Sequence, residues 1–290
     1  MENILKDLQM LTPSQEEMQN AHVSYMKYLR ENINNFSYWF PRIEVVGKYG
    51  IKVPKSYIIE VPEDIYEAFF QERKGDRRLI RQWAHKAVLP VIKKHFDGKE
   101  VFMKNGCYSG KFNFDKCCHI KANASLEDIV EHLCELQMDS LLKETDGYLE
   151  VVLREWIQPE KDCKTIYGGM PLRTEMRLFY DFSNHKPLYW VNYWIWDECH
   201  DLICMGWNGE RKEDADAYEQ CYTHIDERLK QCQETHWQTI IDALQQVASM
   251  KGIWSVDFLF ENNQVWLIDA AVGPRSFYWD NNKVKVAMEA

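Results

Sequence analysis

Lys104 ends a short apolar stretch, Glu100-Val101-Phe102-Met103, and Lys111 follows seven residues later. Between them lies Asn105-Gly106-Cys107-Tyr108-Ser109-Gly110, a loop of small residues. Two ammonium groups around such a loop can hold anionic oxygens, with Ser109 and Gly110 letting backbone N–H groups come close. The spacing is not that of a P-loop, and a surface turn with solvated lysines has the same composition. A second group is Arg173-Thr174-Glu175-Met176-Arg177. Strand side chains alternate, so Arg173, Glu175 and Arg177 share one face. They make either a solvent-facing surface of cross-strand ion pairs or a basic wall for phosphates, with Glu175 orienting the planar guanidinium forks.

The third group is acidic. In Trp254-Ser255-Val256-Asp257-Phe258-Leu259-Phe260, the large apolar residues alternate with Ser255, Asp257 and Leu259. After Asn262-Asn263 a return strand places Val265, Leu267 and Asp269 on one face. A loop with an odd number of residues sets Asp257 opposite Asp269, with Cβ atoms about 5 Å apart. An even loop sends one of them to solvent. Two facing carboxylates inside apolar runs repel each other and lose hydration. A divalent cation such as Mg²⁺ relieves both, and Mg²⁺ is held by one or two carboxylates together with phosphate oxygens. Cationic loop, basic strand and paired acids are together the parts that neutralise a triphosphate for phosphoryl transfer. Protein-kinase signatures are absent.

These side chains need a scaffold of helices and antiparallel strands. Thr12-Pro13 reads as a helix start, with Met18, Ala21, Tyr25, Met26 and Leu29 at helical spacing and Asn34-Asn35 as the stop. Phe36 to Pro41 reads as core filler, 51–60 as a strand that Pro54 marks as peripheral, and 79–94 as a helix. Ser125 with Asp128 forms a capping box for a helix to about Lys143. Strands are expected at 100–104, 148–157, 172–182 and 188–196, the last two joined across Asn184-His185. Residues 214–250 are expected as a helix in two pieces with Thr235 capping the second. The hairpin 253–261 and 264–271 closes the pattern, and Arg275-Ser276 just after it are either acceptor-binding or surface residues. The aromatic run 188–196 is read as core packing, or as the wall of an acceptor groove.

In order and spacing, Glu100 to Gly273 resembles the ATP-grasp family. Lys104, Ser109-Gly110 and Lys111 match the lysine strand and flexible loop over the phosphates. Leu153-Arg154-Glu155-Trp156-Ile157 is similar to the hinge strand that takes the adenine and ribose. Arg177 is similar to the phosphate-binding arginine, and Asp257 with Asp269-Ala270-Ala271 to the metal-binding hairpin. The nearer resemblance is to the cell-division-cycle branch, an assembly factor for a translation initiation factor, and to uncharacterised bacterial relatives. It is carried by Trp39-Phe40-Pro41, Glu175-Met176-Arg177 and Trp266-Leu267-Ile268-Asp269. The family's metal-binding asparagine falls on Ala271, which cannot coordinate.

The resemblance implies an α+β fold of two lobes clamping ATP and Mg²⁺, with an additional N-terminal α/β segment. It divides the chain at 1–98 (acceptor or partner specificity), 99–157 (small lobe and hinge) and 158–290 (large lobe). It implies a ligase that activates a carboxylate as an acyl phosphate for an amine or other nucleophile, or alternatively an ATP-binding assembly factor for a protein partner with little turnover. In the ligase reading Lys104 and Arg177 act on the transferring group. Lys104, Ser109, Gly110, Lys111, Arg154, Glu155, Trp156, Ile157, Glu175 and Arg177 would hold the nucleotide, and Asp257 and Asp269 the metal.

Composition narrows the classes. Lys and Arg number 35 against 45 Asp and Glu, a formal charge of −10, with no long basic run. That argues against nucleic acid or an anionic membrane as partner. Apolar residues make up 46%, too many for disorder. No apolar run approaches the ~18 residues of a membrane span. Nine cysteines, an odd number without a C-x-x-C pair framework or an export signal, point to reduced thiols in a cytoplasm.

Overall fold

The computed structural model describes residues 14–71, 77–143, 145, 149–205 and 212–289. It is mixed helix and antiparallel sheet, built around two four-stranded sheets. Thr12-Pro13 and Tyr148 lie outside the described residues.

The first sheet has strands β1 (Ser56–Glu60), β2 (Val101–Asn105), β3 (His119–Ile120) and β4 (Glu150–Glu155), in the order β1-β4-β2-β3. Helix α1 (Gln15–Glu31) opens on a capping box, Ser14 with Glu17, whose carboxylate accepts from the Ser14 N–H at 2.7 Å. Helix α2 (Phe36–Ile43) buries Phe36, Trp39, Phe40 and Ile43, the aromatic segment expected as core filler. The described residues between Glu63 and His95 form helical pieces: α3 (Glu63–Gln71), α4 (Arg77–Trp83), a π turn (Ala84–Val88) and α5 (Leu89–His95). A short helix α6 (Phe114–Cys117) precedes β3, and α7 (Leu126–Leu142) starts at the expected Ser125–Asp128 box. The apolar side of the first sheet packs against α7 through Val101, Met103, Leu133, Leu136, Val151 and Leu153.

Two short strands, β5 (Thr165–Ile166) and β6 (Met170–Pro171), connect to the second sheet. Its strands are β7 (Thr174–Asp181), β8 (Lys186–Asn192), β9 (Ile253–Glu261) and β10 (Gln264–Val272), in the order β10-β9-β7-β8. The strand expected to reach Trp196 stops at Asn192. The Asn192 side-chain oxygen accepts from the Trp194 N–H at 2.9 Å, a turn that competes with the ladder. Trp196 instead begins helix α8 (Trp196–Met205). Helix α9 (Lys212–Gln245) is one piece of 34 residues, not two. Thr235 lies inside it, its hydroxyl donating to the Gln231 carbonyl one turn back, so it caps nothing. The C-terminal helix α10 spans Asn281–Glu289.

Parity along β7 and β9 makes the second sheet two-faced. Met176, Leu178, Tyr180, Trp254, Val256, Phe258 and Phe260 point to one side and pack on α2 and α9. Arg173, Glu175, Arg177, Asp257 and Leu259 point to the other. The segment 51–60 touches both sheets. Lys52 bridges to Trp266, its N–H donating to the Val265 carbonyl at 2.7 Å, and four residues on the chain becomes β1. No helix among the described residues is long and apolar enough to cross a membrane. The eight cysteines described are free.

Candidate functional site

A cleft of about 160 Å³, open to solvent, lies between the two sheets. Lys104, Ser109, Lys111, Arg154, Glu155, Trp156, Ile157, Glu175, Asp257 and Asp269 all line it. Gly110 and Arg177, also assigned to the nucleotide from sequence, are not in its lining; Arg177 is hydrogen-bonded to the lining residue Asp257.

On the first sheet, Lys104 leaves the end of β2 buried, 2% exposed, and its Nζ reaches Asp269 Oδ1 at 2.9 Å across the cleft. The loop after it is tightly anchored. Asn105 is fully buried, and its side-chain oxygen accepts from the N–H groups of Cys107 (2.9 Å) and Tyr108 (2.5 Å). Gly110 has φ +66°, and a Cβ there would stand 2.6 Å from Cys117 Cβ and 2.9 Å from Leu136 Cδ1. Only glycine fits that turn without displacing α6 or α7. Lys111 donates to the Tyr193 hydroxyl and lies over the Tyr193 ring, 4.3 Å from its centroid. Trp156 at the end of β4 stacks on His119 and carries the Arg173 guanidinium over its face at 4.8 Å.

On the second sheet, Arg177 and Asp257 are cross-strand partners. The guanidinium grips both carboxylate oxygens, Nε to Oδ1 at 2.8 Å and Nη2 to Oδ2 at 2.7 Å, and also donates to the Phe277 carbonyl at 3.0 Å. Burial by itself would lower the Arg177 pKa. The Asp257 charge and hydrogen bonds outweigh it and hold the group above its usual range. Asp257, not Glu175, therefore orients Arg177. Glu175 is partly buried between Arg173 and Arg177 in sequence and facing the cleft. Burial pushes its carboxyl up to about 7, against the pull of Lys111 and Arg173 and with a push from Asp257.

Asp257 and Asp269 do face each other, but not for the expected reason. The hairpin loop has two residues, Asn262 and Asn263, both with positive φ (51° and 57°), and Glu261 pairs with Gln264. An even loop puts Leu267 opposite Phe258 on the core side. A β-bulge then inserts Ile268, and pairing resumes with Asp269 opposite Asp257. Leu267 and Asp269 consequently lie on opposite faces, not on one: Leu267 is fully buried, whereas the Asp269 side chain is 40% exposed.

Sequence reading missed several contributors. Phe36 of α2 lies under both Lys104 and Arg154, its ring centroid 5.8 Å from Nζ and 5.1 Å from the guanidinium carbon. Tyr193 and Trp194 line the cleft, although 188–196 had no site assignment beyond an acceptor groove. Tyr278, a non-glycine residue at φ +69°, donates to the Tyr193 carbonyl at 2.8 Å. Ser276, expected as an acceptor-binding or a surface residue, has its hydroxyl engaged by Ser255 Oγ at 2.6 Å and the Val272 carbonyl at 3.0 Å, which fixes the chain after the hairpin. Alternating patterns reveal none of these, since each depends on a segment folding back from far away.

No family model matches the chain, and no curated protein does. Solved structures do. The fold is similar to C-terminally truncated Cdc123 from Schizosaccharomyces pombe, at 14% identity over 84% of this chain and 85% of that one, TM-score 0.49. It is similar to the D-alanine-D-alanine ligase from Coxiella burnetii at 13% identity, covering 85% of this chain and 50% of that one, TM-score 0.37. A RimK domain ATP-grasp protein from Sphaerobacter thermophilus matches at 13% identity, covering 86% and 62%, TM-score 0.36. These are the family and the branch that the sequence resembles.

Proposed function

We propose that this protein binds ATP with Mg²⁺ in the cleft between its sheets and acts as an ATP-grasp-type ligase on a carboxylate. The observation that supports the reading is the placement of Asp257 opposite Asp269, facing a cleft that also holds Lys104 and Lys111 and is backed by Arg177. Two carboxylates at that spacing, one of them well exposed, are a hard-oxygen donor set that fits Mg²⁺. When bound, the ion would neutralise phosphate charge.

The chain's own groups divide the remaining work. Trp156 and Ile157 at the β4 end form an apolar wall for a base, and Glu155 offers a carboxylate to a ribose. Ser109 and the Gly110 turn sit where phosphates would lie, and Lys104 and Lys111 exchange their present partners, Asp269 and Tyr193, for phosphate oxygens. Arg177 holds its charge beside the transferring group because Asp257 keeps it fixed. In the reaction, a substrate carboxylate oxygen bonds to the γ-phosphorus while the bond to the β–γ bridging oxygen breaks. ADP leaves with that electron pair. An amine or other nucleophile then attacks the acyl carbon, inorganic phosphate departs, and the nucleophile loses its proton.

A specific feature favours a second reading. Ala271 pairs with Ser255 where a metal-binding asparagine would stand in the resembling family. The donor set is then smaller, and the nucleotide would serve to order a surface for a protein partner with little turnover. Titration of ATP with and without Mg²⁺ into the wild type and Lys104→Ala tests the common part: binding should be Mg²⁺-dependent and at least about tenfold weaker in the variant, a loss of ~1.4 kcal/mol. Unchanged binding in the variant removes the site assignment. Trapping of an acyl phosphate by hydroxylamine, with ADP release that rises with a supplied carboxylate, separates ligase from assembly factor.

A further inference from the structure

The register that brings Asp269 opposite Asp257 depends on a bulge, and a bulge needs something to hold it. From the two-residue loop onward the regular ladder runs Gln264–Glu261, Val265–Phe260, Trp266–Leu259, Leu267–Phe258. Continued without interruption, it would put Ile268 opposite Asp257 and Asp269 opposite Val256, on the apolar face. A one-residue slip flips every later side chain. The extra residue also loses its ladder partner, and its carbonyl must find another donor or remain buried and unpaired.

Arg154 supplies that donor. It comes from β4 of the other sheet, is 4% exposed, and its guanidinium donates to the carbonyl of Ile268 and, at 3.4 Å, to that of Leu267. Its Nε donates to Ser56 Oγ at 3.2 Å on the neighbouring strand β1, and the Phe36 ring packs beneath it. Three of the five donors of the fork are thereby spent on protein oxygens, two of them at the bulge. The planar fork suits two successive carbonyls, which a lysine would meet one at a time.

We propose that Arg154 is a positioning residue: by holding the Leu267 and Ile268 carbonyls it keeps Asp269 in register with Asp257, and so assembles the metal-binding pair from the opposite sheet. The proposal rests on the Mg²⁺-nucleotide reading for its binding consequence, but the register itself can be measured without ligand.

Deleting Ile268 is the sharpest test. Without that residue the regular ladder places Asp269 directly opposite Asp257, and Arg154 has no bulge left to hold. Binding of a non-hydrolysable ATP analogue, with and without Mg²⁺, is measured for the wild type, Arg154→Met, the Ile268 deletion and the combination. In the wild-type background Arg154→Met should lose roughly 10–100-fold of the Mg²⁺ enhancement, the range for residues that orient metal ligands. The same substitution on the deletion background should cost little, a coupling visible in the double-mutant cycle. An equal loss on both backgrounds, or a full Mg²⁺ enhancement in Arg154→Met, overturns the proposal. Arg154→Lys, which keeps the charge and one carbonyl contact, should fall between the two and covers the case in which the methionine variant does not fold. In the ligand-free protein, cross-strand NOEs should join Asp257 to Asp269 in the wild type and to Ile268 in Arg154→Met. Unchanged NOEs refute the positioning role even if the wild type binds no nucleotide, an outcome that would instead refute the reading of the cleft.

Discussion

Two acid–base pairs meet at the floor of the cleft, and they are built differently. Arg177 and Asp257 lie on adjacent strands of one sheet, share two hydrogen bonds, and are 10% and 6% exposed at their side chains. Lys104 and Asp269 come from different sheets, share one contact at 2.9 Å, and are 3% and 40% exposed. The first pair has two paired strands behind its members and little access to solvent. The second spans the cleft and leaves its carboxylate open to solvent on one side. The same chemistry thus gives a brace in one case and an exchangeable contact in the other. A phosphate can take Lys104 from Asp269 outright, whereas a cation at Asp257 shares the carboxylate with Arg177.

The largest break in the comparison should come from Asp257→Asn. It leaves a buried guanidinium without its counter-charge, and removing one partner of such a pair costs about 3–5 kcal/mol. Asp269→Asn keeps an oxygen for Lys104 in a half-open setting and should cost about 1 kcal/mol or less. Urea denaturation of the two variants measures the contrast, and equal losses would erase it. Gly110→Ala strikes the wall on the Lys104 side, forcing a Cβ against Cys117 and Leu136 at a left-handed backbone position. A loss of about 1–3 kcal/mol is expected, read by the same method. Asp269→Asn should next reduce Mg²⁺-dependent ATP affinity by about tenfold, ~1.4 kcal/mol, while leaving metal-free binding nearly unchanged, as calorimetry would show.

Glu175 sharpens the contrast from a third position, as a cleft carboxylate outside both pairs. Its carboxyl is raised from 4.5 to about 7, chiefly by burial. Between those values the folded protein holds a proton that the unfolded chain has lost. Stability therefore falls as pH rises through that window and is level above it. In Glu175→Gln that part of the decline should vanish, leaving the variant the more stable of the two at pH 8 and not at pH 4. Melting curves across pH 4–8 that are parallel for both proteins would contradict the assignment.

Much of the arrangement was legible in short stretches of sequence. Alternation put Arg173, Glu175 and Arg177 on one face of their strand, and Asp257 opposite the large apolar residues of its own, because strand parity is a local property of the backbone. The Ser125–Asp128 box located α7 because capping involves residues three apart. The 34-residue α9 was read as two pieces because Thr235 resembles a cap until its i−4 carbonyl is seen to accept its hydroxyl. The resemblance drawn from Lys104, Trp156 and the hairpin marked residues that the fold then gathered around one cleft.

What residue order alone determined is therefore parity: which side chains share a face of a strand or helix, and which segments can be strand or helix at all. What only the tertiary structure decided is where parity is broken and what meets across the gap. An Asn262-Asn263 turn sets an even register that would turn Asp269 toward the core. The bulge at Ile268 turns it back, and its carbonyl is answered by Arg154, 114 residues away in sequence. Such a contact depends on two sheets closing on each other, where burial makes an unpaired carbonyl costly, and no local pattern encodes that.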